Sequence, residues 1–461
     1  MRTPFASRGE VMERRVLAAI SAVVLSYGLL QTMLVPAANH VQADLHTSSQ
    51  GATWAVLSAM LLSSAAVTPV LGRLADRFGQ RTILLACLWI YLAGALVAAV
   101  APSIEVLIAA RVLQGVGLTL VPLSFALVKS SLTGPAVGRG LALAATLVTG
   151  SAGAGLLAGG LIADHFSWRW LFVIGAAVIV VALVLTSRDL PADEARDASP
   201  IDWSGAALLA VALTTLLLAV TQGRAWGWTS WQVLGLVGLA LLSAALLVVV
   251  EERVAAPLID LNLMRGGLLA AHLGALMLGV NQFMLYTLLP HLAQAPGSGA
   301  SGLGLSATAA AALLVPGALL TIPAGRWRPA RVDEPRSLLA VGLAVSSVGA
   351  GVLLVARGGP LVVTAVYVLV SLGYGIAMAA LPRLVARECP PLRLGSVNAV
   401  NTVARTVGGA FGSQLAALVL SGQSRPGRSA YDLGFAVAAA AAVIGVPLVL
   451  AAGVRQSRVA V

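Results

Sequence analysis

Long apolar runs recur along the whole chain, and short polar connectors separate them. A window of about 20 residues, the length that an α-helix needs to cross a bilayer, detects fourteen runs. They occupy residues 16–38, 53–71, 82–101, 106–128, 141–163, 169–187, 204–222, 232–250, 268–292, 306–324, 338–356, 361–382, 397–421 and 433–454. Because a lipid-exposed backbone must form its hydrogen bonds internally, each run is expected to be helical. The pattern predicts an all-α integral membrane protein with 14 transmembrane helices.

The composition agrees with a membrane location. Hydrophobic residues make up 59% of the chain and charged residues 10%, against roughly 45–50% and 25% in soluble domains. The first apolar run is longer than the core of a signal peptide and leads straight into further runs, so we expect it to be retained as an anchor. The two cysteines, Cys87 and Cys389, are too few for a disulfide framework and predict no metal site,.

Basic residues are distributed unequally between alternate connectors. Of the 29 Lys and Arg residues, 22 fall on the side that holds both termini, five on the other side, and two, Arg111 and Arg405, within runs. Cytoplasmic loops are enriched in Lys and Arg, so the split predicts an N-in, C-in arrangement. The net charge of +11 then reflects anchoring to anionic lipid, and no nucleic-acid partner is expected.

The runs divide into six, two and six. Polar connectors follow the sixth run, at 188–203, and the eighth, at 251–267. This division predicts a six-helix N-terminal bundle at 1–187, a connector with two extra transmembrane helices at 188–267, and a six-helix C-terminal bundle at 268–461. Weak parallels between the two sets of six, such as Gly72-Arg73 and Gly325-Arg326, are those expected of parallel repeats,.

The connector after the second run is unusually polar. Its sequence, Gly-Arg-Leu-Ala-Asp-Arg-Phe-Gly-Gln-Arg at 72–81, resembles the loop signature of the major facilitator superfamily, with Gln80 where a basic residue is usual. Glycine at both ends would allow a tight reversal. The resemblance implies a major facilitator fold and a cytoplasmic latch, in which Asp76 meets the start of the thirteenth helix near Ser396. The residues predicted for this latch are Gly72, Asp76, Arg77, Gly79 and Arg81.

Further stretches carry the same resemblance. Residues 111–117 are similar to the superfamily motif R-x-x-Q-G-x-G, whose arginine is linked to proton transfer. Residues 151–160, followed by Trp168-Arg-Trp170, are close to the antiporter pattern of the fifth helix. The chain also resembles the extra helix pair of fourteen-helix drug:proton antiporters, at residues 202–203, 226–228 and 252–258. The chain therefore resembles the fourteen-helix drug:proton antiporter family, and within that family it resembles an actinobacterial-like branch.

Two departures from the family pattern concern proton coupling. Family members usually carry an Asp in the first helix, and aligning Pro36 with the final proline of that motif puts Tyr27 at its position. In the fifth helix, Leu156 replaces the motif's proline, which weakens the kink that proline supplies. Antiport is therefore implied by the family rather than by these motifs.

Charged residues in or beside the runs are the candidates for coupling and binding. A central arginine costs about 2.5–3.5 kcal/mol on insertion scales and usually faces a cavity or a partner. The candidates for proton coupling are Arg111, Asp164 and His165. For the arginines Arg111 and Arg405, the alternative is a structural hydrogen bond to carbonyl groups of a neighbouring helix. For Asp164 and His165, the alternative is a helix-end pair in water.

Polar side chains and glycines inside the runs complete the candidate set. Polar groups in a membrane span are expected to face a bundle interior or a cavity. The candidates for the substrate cavity are Gln114, Asn281, Gln282, Tyr286, Asn398, Asn401 and Arg405. Small residues let helices approach closely, and such smooth surfaces would let two bundles move against each other. The predicted packing positions are Gly155, Gly159, Gly160, Gly408, Gly409 and Gly412.

These observations predict a secondary transporter in a bacterial cytoplasmic membrane, acting as a monomer. It would export small amphipathic compounds by proton antiport with alternating access. No nucleotide-binding loop, cofactor site or catalytic motif is recognised, so the chain is not expected to be an enzyme. With two arginines and no carboxylate in the spans, neutral, zwitterionic or anionic substrates fit better than permanent cations. The alternatives are a proton-independent facilitator or importer of a small solute and a non-transporting membrane sensor or scaffold.

Overall fold

A computed structural model provides the fold of the chain. It describes residues 8–191, 202–254, 257, 266–296, 302–324, 334–388, 394–420 and 428–451. All regular secondary structure within these ranges is helical. This agrees with the apolar runs, since only internally hydrogen-bonded helices suit a chain of this hydropathy in lipid.

Nine α-helices form the first part of the chain. They are α1 Arg8–Thr32, α2 Ala38–Asp44, α3 Ser49–Thr53, α4 Ala59–Phe78, α5 Gln80–Ala99, α6 Ile104–Gln114, α7 Leu120–Ser131, α8 Pro135–His165 and α9 Arg169–Asp189. A π-helical turn, Trp54–Ser58, joins α3 to α4, and a 3-10 turn, Gly115–Thr119, joins α6 to α7. Each of these pairs therefore forms one continuous rod of membrane-spanning length.

Eight helices follow. They are α10 Trp203–Trp226, α11 Trp231–Glu251, α12 Gly266–Gln294, α13 Ala307–Ala324, α14 Pro335–Val352, α15 Pro360–Glu388, α16 Leu394–Leu420 and α17 Arg428–Ala451. Side-chain caps fix two of their starts, because Asp202 accepts the Gly205 N–H at 2.8 Å and Ser230 accepts the Val233 N–H at 3.3 Å. Such caps satisfy N–H groups that have no partner inside the helix.

The helices coincide with the predicted apolar runs. Within the described ranges, twelve helices are long and apolar enough to cross a membrane. The two other predicted runs, 141–163 and 306–324, fall on α8, which has 31 residues, and on α13, whose apolar part is the shorter segment Ala307–Thr321. The prediction of an all-α membrane protein is confirmed.

The polar connector 72–81 is not the loop that the sequence predicts. Helix α4 continues through Phe78 and α5 begins at Gln80, so the single residue Gly79 separates them. Its φ of 99° lies in the left-handed region that favours glycine,. Gly72 lies inside α4, because the Arg, Leu and Ala residues that follow it are good helix formers. The reversal therefore depends on Gly79 alone.

The helices pack into two groups joined by a pair. The first group comprises α1 to α9, in which α8 and α9 pack against α1. The second group comprises α12 to α17, in which α12 packs along α16 and α17 and α14 packs along α15. Helices α10 and α11 pack against each other, and α10 also contacts α4 of the first group and α16 of the second.

The first and second groups meet along two helix pairs, α8 with α13 and α4 with α16. Just before α4, at the end of the π-helical turn, the hydroxyl oxygen of Ser58 lies 2.8 Å from that of Ser413 in α16, and the Gln414 side chain donates to Ser58 at 2.8 Å. The largest hydrophobic core cluster contains buried residues of both groups, so apolar packing is continuous across this contact.

Candidate functional site

Asp164, at the end of α8, makes a polar contact between the two groups. Its Oδ1 accepts the N–H of Ala307 at 2.8 Å, and its Oδ2 accepts the N–H of Thr308 at 2.7 Å. These are the first two residues of α13, so a carboxylate of the first group caps a helix of the second. The arrangement satisfies two free N–H groups and places negative charge at the positive end of the helix dipole.

The hydrogen bonds keep Asp164, which lies just beyond the apolar run 141–163, in its charged form. Burial raises the pKa of this carboxyl, but the bonds from Thr308, Ser306 and Ala307 outweigh burial and lower its pKa below the ordinary value. The neighbouring His165 is exposed, and its Nδ1 lies 3.1 Å from the carbonyl oxygen of Leu161. The two residues of the predicted pair therefore have different partners.

Further contacts join the groups at the same end of the molecule, which we call the Asp164 end. Gln294, the last residue of α12, donates to the carbonyl oxygen of Pro36 at 3.0 Å. The Asn39 side chain donates to the Gln294 side-chain oxygen at 3.3 Å. Gly160 adds a close approach, since a Cβ there would lie 2.7 Å from the Ala307 carbonyl oxygen. The Asp164 end is thus closed in this structure.

Arg111 lies inside the first group and is 1% exposed. Its Nε donates to the carbonyl oxygen of Ala55 at 3.1 Å, and its Nη2 donates to that of Val56 at 2.9 Å. Its Nη1 donates to the side chain of Gln114, which is fully buried. Ala55 and Val56 lie in the π-helical turn, so Arg111 ties that turn to α6. These are carbonyl contacts of the kind expected from a structural arginine.

Arg405 lies on α16 in the second group and has different surroundings. It is 11 residues beyond the start of α16 at Leu394, or roughly 17 Å along the helix at 1.5 Å per residue. Its guanidinium lies near the phenols of Tyr374 of α15, Tyr27 of α1 and Tyr286 of α12. Tyr27 belongs to the first group. The cluster of Arg405, Tyr27, Tyr286 and Tyr374 therefore spans the interface between the groups.

The other polar candidates of the second group join its helices to one another. Gln282 of α12 donates to the hydroxyl of Tyr367 in α15 at 3.3 Å. Asn281 donates to the carbonyl oxygen of Ala438 at 2.9 Å, and Asn401 donates to that of Ala271 at 2.9 Å. These two asparagines connect helices within the group. The side chain of Asn398 lies outside the described part of the structure.

The predicted latch residues lie around Gly79, at what we call the Gly79 end. Arg81 donates to the carbonyl oxygens of Ser187, at 2.6 Å, and Thr186, at 3.4 Å, which lie at the negative end of the α9 dipole. The Arg77 guanidinium lies 5.4 Å from the centre of the Phe78 ring. The side chain of Asp76 lies outside the described part of the structure, so its role in the latch stays a prediction.

Five of the six predicted packing glycines lie inside a group. A Cβ on Gly159 would lie 2.0 Å from the carbonyl oxygen of Met33, just after the end of α1, and one on Gly408 would lie 2.0 Å from that of Leu276 in α12. Of the predicted set, only Gly160 approaches the other group. The five that lie inside a group are Gly155, Gly159, Gly408, Gly409 and Gly412.

Arg357 is a buried arginine that the sequence does not single out. It falls between the predicted runs 338–356 and 361–382, yet it is 1% exposed. Its Nη2 lies 2.6 Å from Oδ1 of Asp432, and its Nη1 donates to the carbonyl oxygen of Leu353 at 2.9 Å. No local signal distinguishes it from an exposed loop arginine, because its partner Asp432 is remote in the chain.

Comparison with known proteins is consistent with this architecture. The family model of the Major Facilitator Superfamily matches residues 20–207 and 271–459. The chain is 29% identical over 429 residues to the multidrug resistance protein B homolog of Mycobacterium tuberculosis, covering 87% of this chain and 77% of that protein. It is 31% identical over 427 residues to the puromycin resistance protein pur8 of Streptomyces alboniger, covering 88% and 81%.

A solved structure shares the fold. The peptide transporter POT in complex with sulfate aligns with a TM-score of 0.71 at 16% sequence identity, covering 98% of this chain and 96% of that chain. At this identity the likeness concerns the fold alone. From the family match over both halves of the sequence, the chain belongs to the Major Facilitator Superfamily.

Proposed function

We propose that this protein exports drugs by alternating access of two helix groups to the two sides of the membrane. It is a multi-pass protein of a bacterial cytoplasmic membrane, and it is a transporter rather than an enzyme. Its relatives are named for multidrug and puromycin resistance, which supports efflux of small amphipathic compounds.

The proposed topology has fourteen membrane crossings with both termini in the cytoplasm. Twelve crossings correspond to the apolar helices described above, and α8 and α13 supply the other two. The excess of basic residues places the Gly79 end in the cytoplasm and the Asp164 end outside. We propose 1–187 and 268–461 as the two moving bodies and 188–267 as the connector with the extra helix pair.

The contact of Asp164 with α13 is the observation that carries the alternating-access proposal. It joins the two bodies at one end through hydrogen bonds to a helix start. A contact of this kind contributes about 0.5–2 kcal/mol, so it can break and re-form in each transport cycle. We therefore assign Asp164 to an outer gate, and this structure to a state closed on the outside.

Proton antiport is the proposed energy source, in keeping with the family. Asp164 is not suited to carry the transported proton. Closing of the outer gate requires its charged form, whereas an inward-moving proton must stay bound while the outside closes. His165 faces solvent. A proton-independent facilitator is the second candidate, because the carboxylates in the described part of the structure lie close to helix ends.

Substrate-induced proton movement in proteoliposomes tests both candidates. The purified protein is reconstituted with a pH-sensitive dye inside the vesicles, and cationic, neutral and anionic lipophiles are added in turn. Proton flux that depends on a substrate is expected for antiport. Tracer flux of a compound without proton flux would support the facilitator instead. Absence of flux for every compound, with correctly oriented and monodisperse protein, would contradict a transport function.

A further inference from the structure

Three arginines within the helix groups, Arg111, Arg357 and Arg405, differ in how their charge is compensated. Arg357 is paired with Asp432, and Arg111 has three oxygen partners in the first group. Both are 1% exposed. In contrast, Arg405 is partly exposed, and the groups near its guanidinium are neutral phenols such as that of Tyr374. Among the ion pairs of the described residues, none includes Arg405. Its positive charge is therefore available to a ligand.

The neighbours of Arg405 are suited to an anion. Tyr27, Tyr286 and Tyr374 lie around the guanidinium, and a phenol donates a hydrogen bond without adding charge. Tyr27 stands where the family pattern has an aspartate. A phenol at this position adds no negative charge beside Arg405 and offers a hydroxyl donor.

The cluster also offers an apolar surface beside the charge. The rings of Tyr286 and Phe283 pack edge to face with their centres 5.6 Å apart, and Tyr286 and Tyr374 are partly exposed. An aromatic or aliphatic body of a ligand can contact these rings while its charged group reaches Arg405. Guanidinium groups bind planar oxyanions through two parallel hydrogen bonds, which gives both strength and orientation.

We propose that Arg405, with Tyr27, Tyr286 and Tyr374, binds the carboxylate or other oxyanion of an amphipathic substrate. The inference rests on the proposed function, since it assigns a substrate class to the same transporter. The site includes Tyr27 of the first group and three residues of the second. Movement of the groups past each other separates Tyr27 from Arg405 and so weakens the hold on the anion when the substrate is released.

Binding of matched dansyl compounds to the purified protein in nanodiscs tests the site. The probes are dansyl-phenylalanine, its uncharged methyl ester, and the cation dansylcadaverine, each followed by dansyl fluorescence. The carboxylate is expected to bind about tenfold to a hundredfold more tightly than the ester. One or two charge-assisted hydrogen bonds to Arg405 would account for a difference in affinity of that size. Arg405→Gln should abolish this preference and leave ester affinity nearly unchanged.

Two further variants separate a binding role from a folding defect. Tyr374→Phe removes one phenol and should weaken carboxylate binding severalfold while the ester is unaffected. Arg139→Gln, at a surface arginine paired with Glu13, is the control and should keep the full preference. Equal affinity of the wild-type protein for the carboxylate and the ester would overturn the proposal, as would a preference that survives Arg405→Gln.

Flux of the same three compounds distinguishes the failure of this inference from the failure of the proposed function. Transport of the ester or the cation, with no preference for the carboxylate in binding or flux, would overturn the anion site and leave drug efflux intact. Selective binding of the carboxylate without flux of any of the three compounds would support the site and count against efflux.

Discussion

Arg111 and Arg405 are the same residue type in opposite chemical settings. The guanidinium of Arg111 supplies donors to carbonyl oxygens of Ala55 and Val56 in the π-helical turn. The guanidinium of Arg405 lies near the phenols of Tyr374 and Tyr286 in its own group and of Tyr27 in the first group. Removing donors from buried carbonyl groups is costly, whereas removing a charge that has no carboxylate partner is often neutral or stabilising.

Arg111→Gln is expected to lower the unfolding temperature, because buried carbonyl groups lose their donors at a cost of about 1–3 kcal/mol. Arg405→Gln, measured in the same detergent, should leave the unfolding temperature unchanged or raise it. Intrinsic tryptophan fluorescence during heating reports both values. A greater loss of stability in Arg405→Gln than in Arg111→Gln would contradict the structural assignment of Arg111.

In the proposed outer gate, the charge of Asp164 is expected to determine how closing depends on pH. Hydrogen bonds hold its pKa in the closed state below the ordinary value, which is about 4. The stabilisation of the closed state is therefore complete above the open-state pKa and is lost as the pH falls through the closed-state pKa. Between pH 8 and pH 6 the wild-type gate should stay equally closed.

Asp164→Asn is expected to open this gate at every pH in that range, since the amide has one acceptor oxygen and no charge. The measurement is the distance between spin labels at Phe166 and Val355, both exposed at the Asp164 end, on a background without the native cysteines. A gate that opens in the wild-type protein between pH 8 and pH 6 would assign Asp164 to proton sensing instead.

At the scale of elements, glycines set how closely α8 can pack on α1. A Cβ at Gly159 would lie 2.0 Å from the Met33 carbonyl oxygen, whereas one at Gly150, in the same helix, would meet nothing within 4 Å. Alanine is favoured over glycine in a helix by about 0.8–1.0 kcal/mol. Overpacking costs typically about 1–3 kcal/mol, so the two sites should respond with opposite signs.

Gly159→Ala is expected to lower thermal stability, and Gly150→Ala to leave it unchanged or raise it slightly. The same fluorescence measurement in detergent compares them. Equal effects at the two positions would show that the packing of α8 tolerates a methyl group at Gly159. That result would contradict the close approach of Gly159 to the Met33 backbone.

At the scale of the whole molecule, transport depends on the contact between the two groups. Among the glycines of α8, Gly160 comes closest to the second group. A Cβ there would lie 2.7 Å from the Ala307 carbonyl oxygen and from the Thr308 Cα. Gly153 lies seven residues earlier in α8 and also faces α13. A Cβ there would make an ordinary van der Waals contact with the Ala318 Cβ at 3.6 Å. The two positions form a matched pair for a test of closure.

Gly160→Ala is expected to separate the groups at the Asp164 end without unfolding either one, because the added methyl group meets backbone of the opposite group. The label distance between Phe166 and Val355 should lengthen in Gly160→Ala and stay unchanged in Gly153→Ala. Transport should be slowed in the first variant only. An unchanged distance in Gly160→Ala would place the closing contact elsewhere.

The helical class and the positions of the helices were available from sequence because each depends on local properties. A run of about 20 apolar residues in lipid has to satisfy its own backbone, and every predicted run coincides with a helix. The reversal at 72–81 was located correctly, but its form was not. The continuation of α4 to Phe78 depends on helix propensity in a segment whose charges suggested a loop.

The partners of the polar side chains were decided by the tertiary structure alone. Asp164 and Ala307, like Arg357 and Asp432, are brought together by the packing of separate helices, and no local pattern records such a pairing. Sequence could therefore select Arg111 and Arg405 as buried charges, since a charge in an apolar run is conspicuous. Only the packing decided that Arg111 is enclosed by carbonyl oxygens and that Arg405 faces the interface, because the environment of a charge depends on residues remote in the chain.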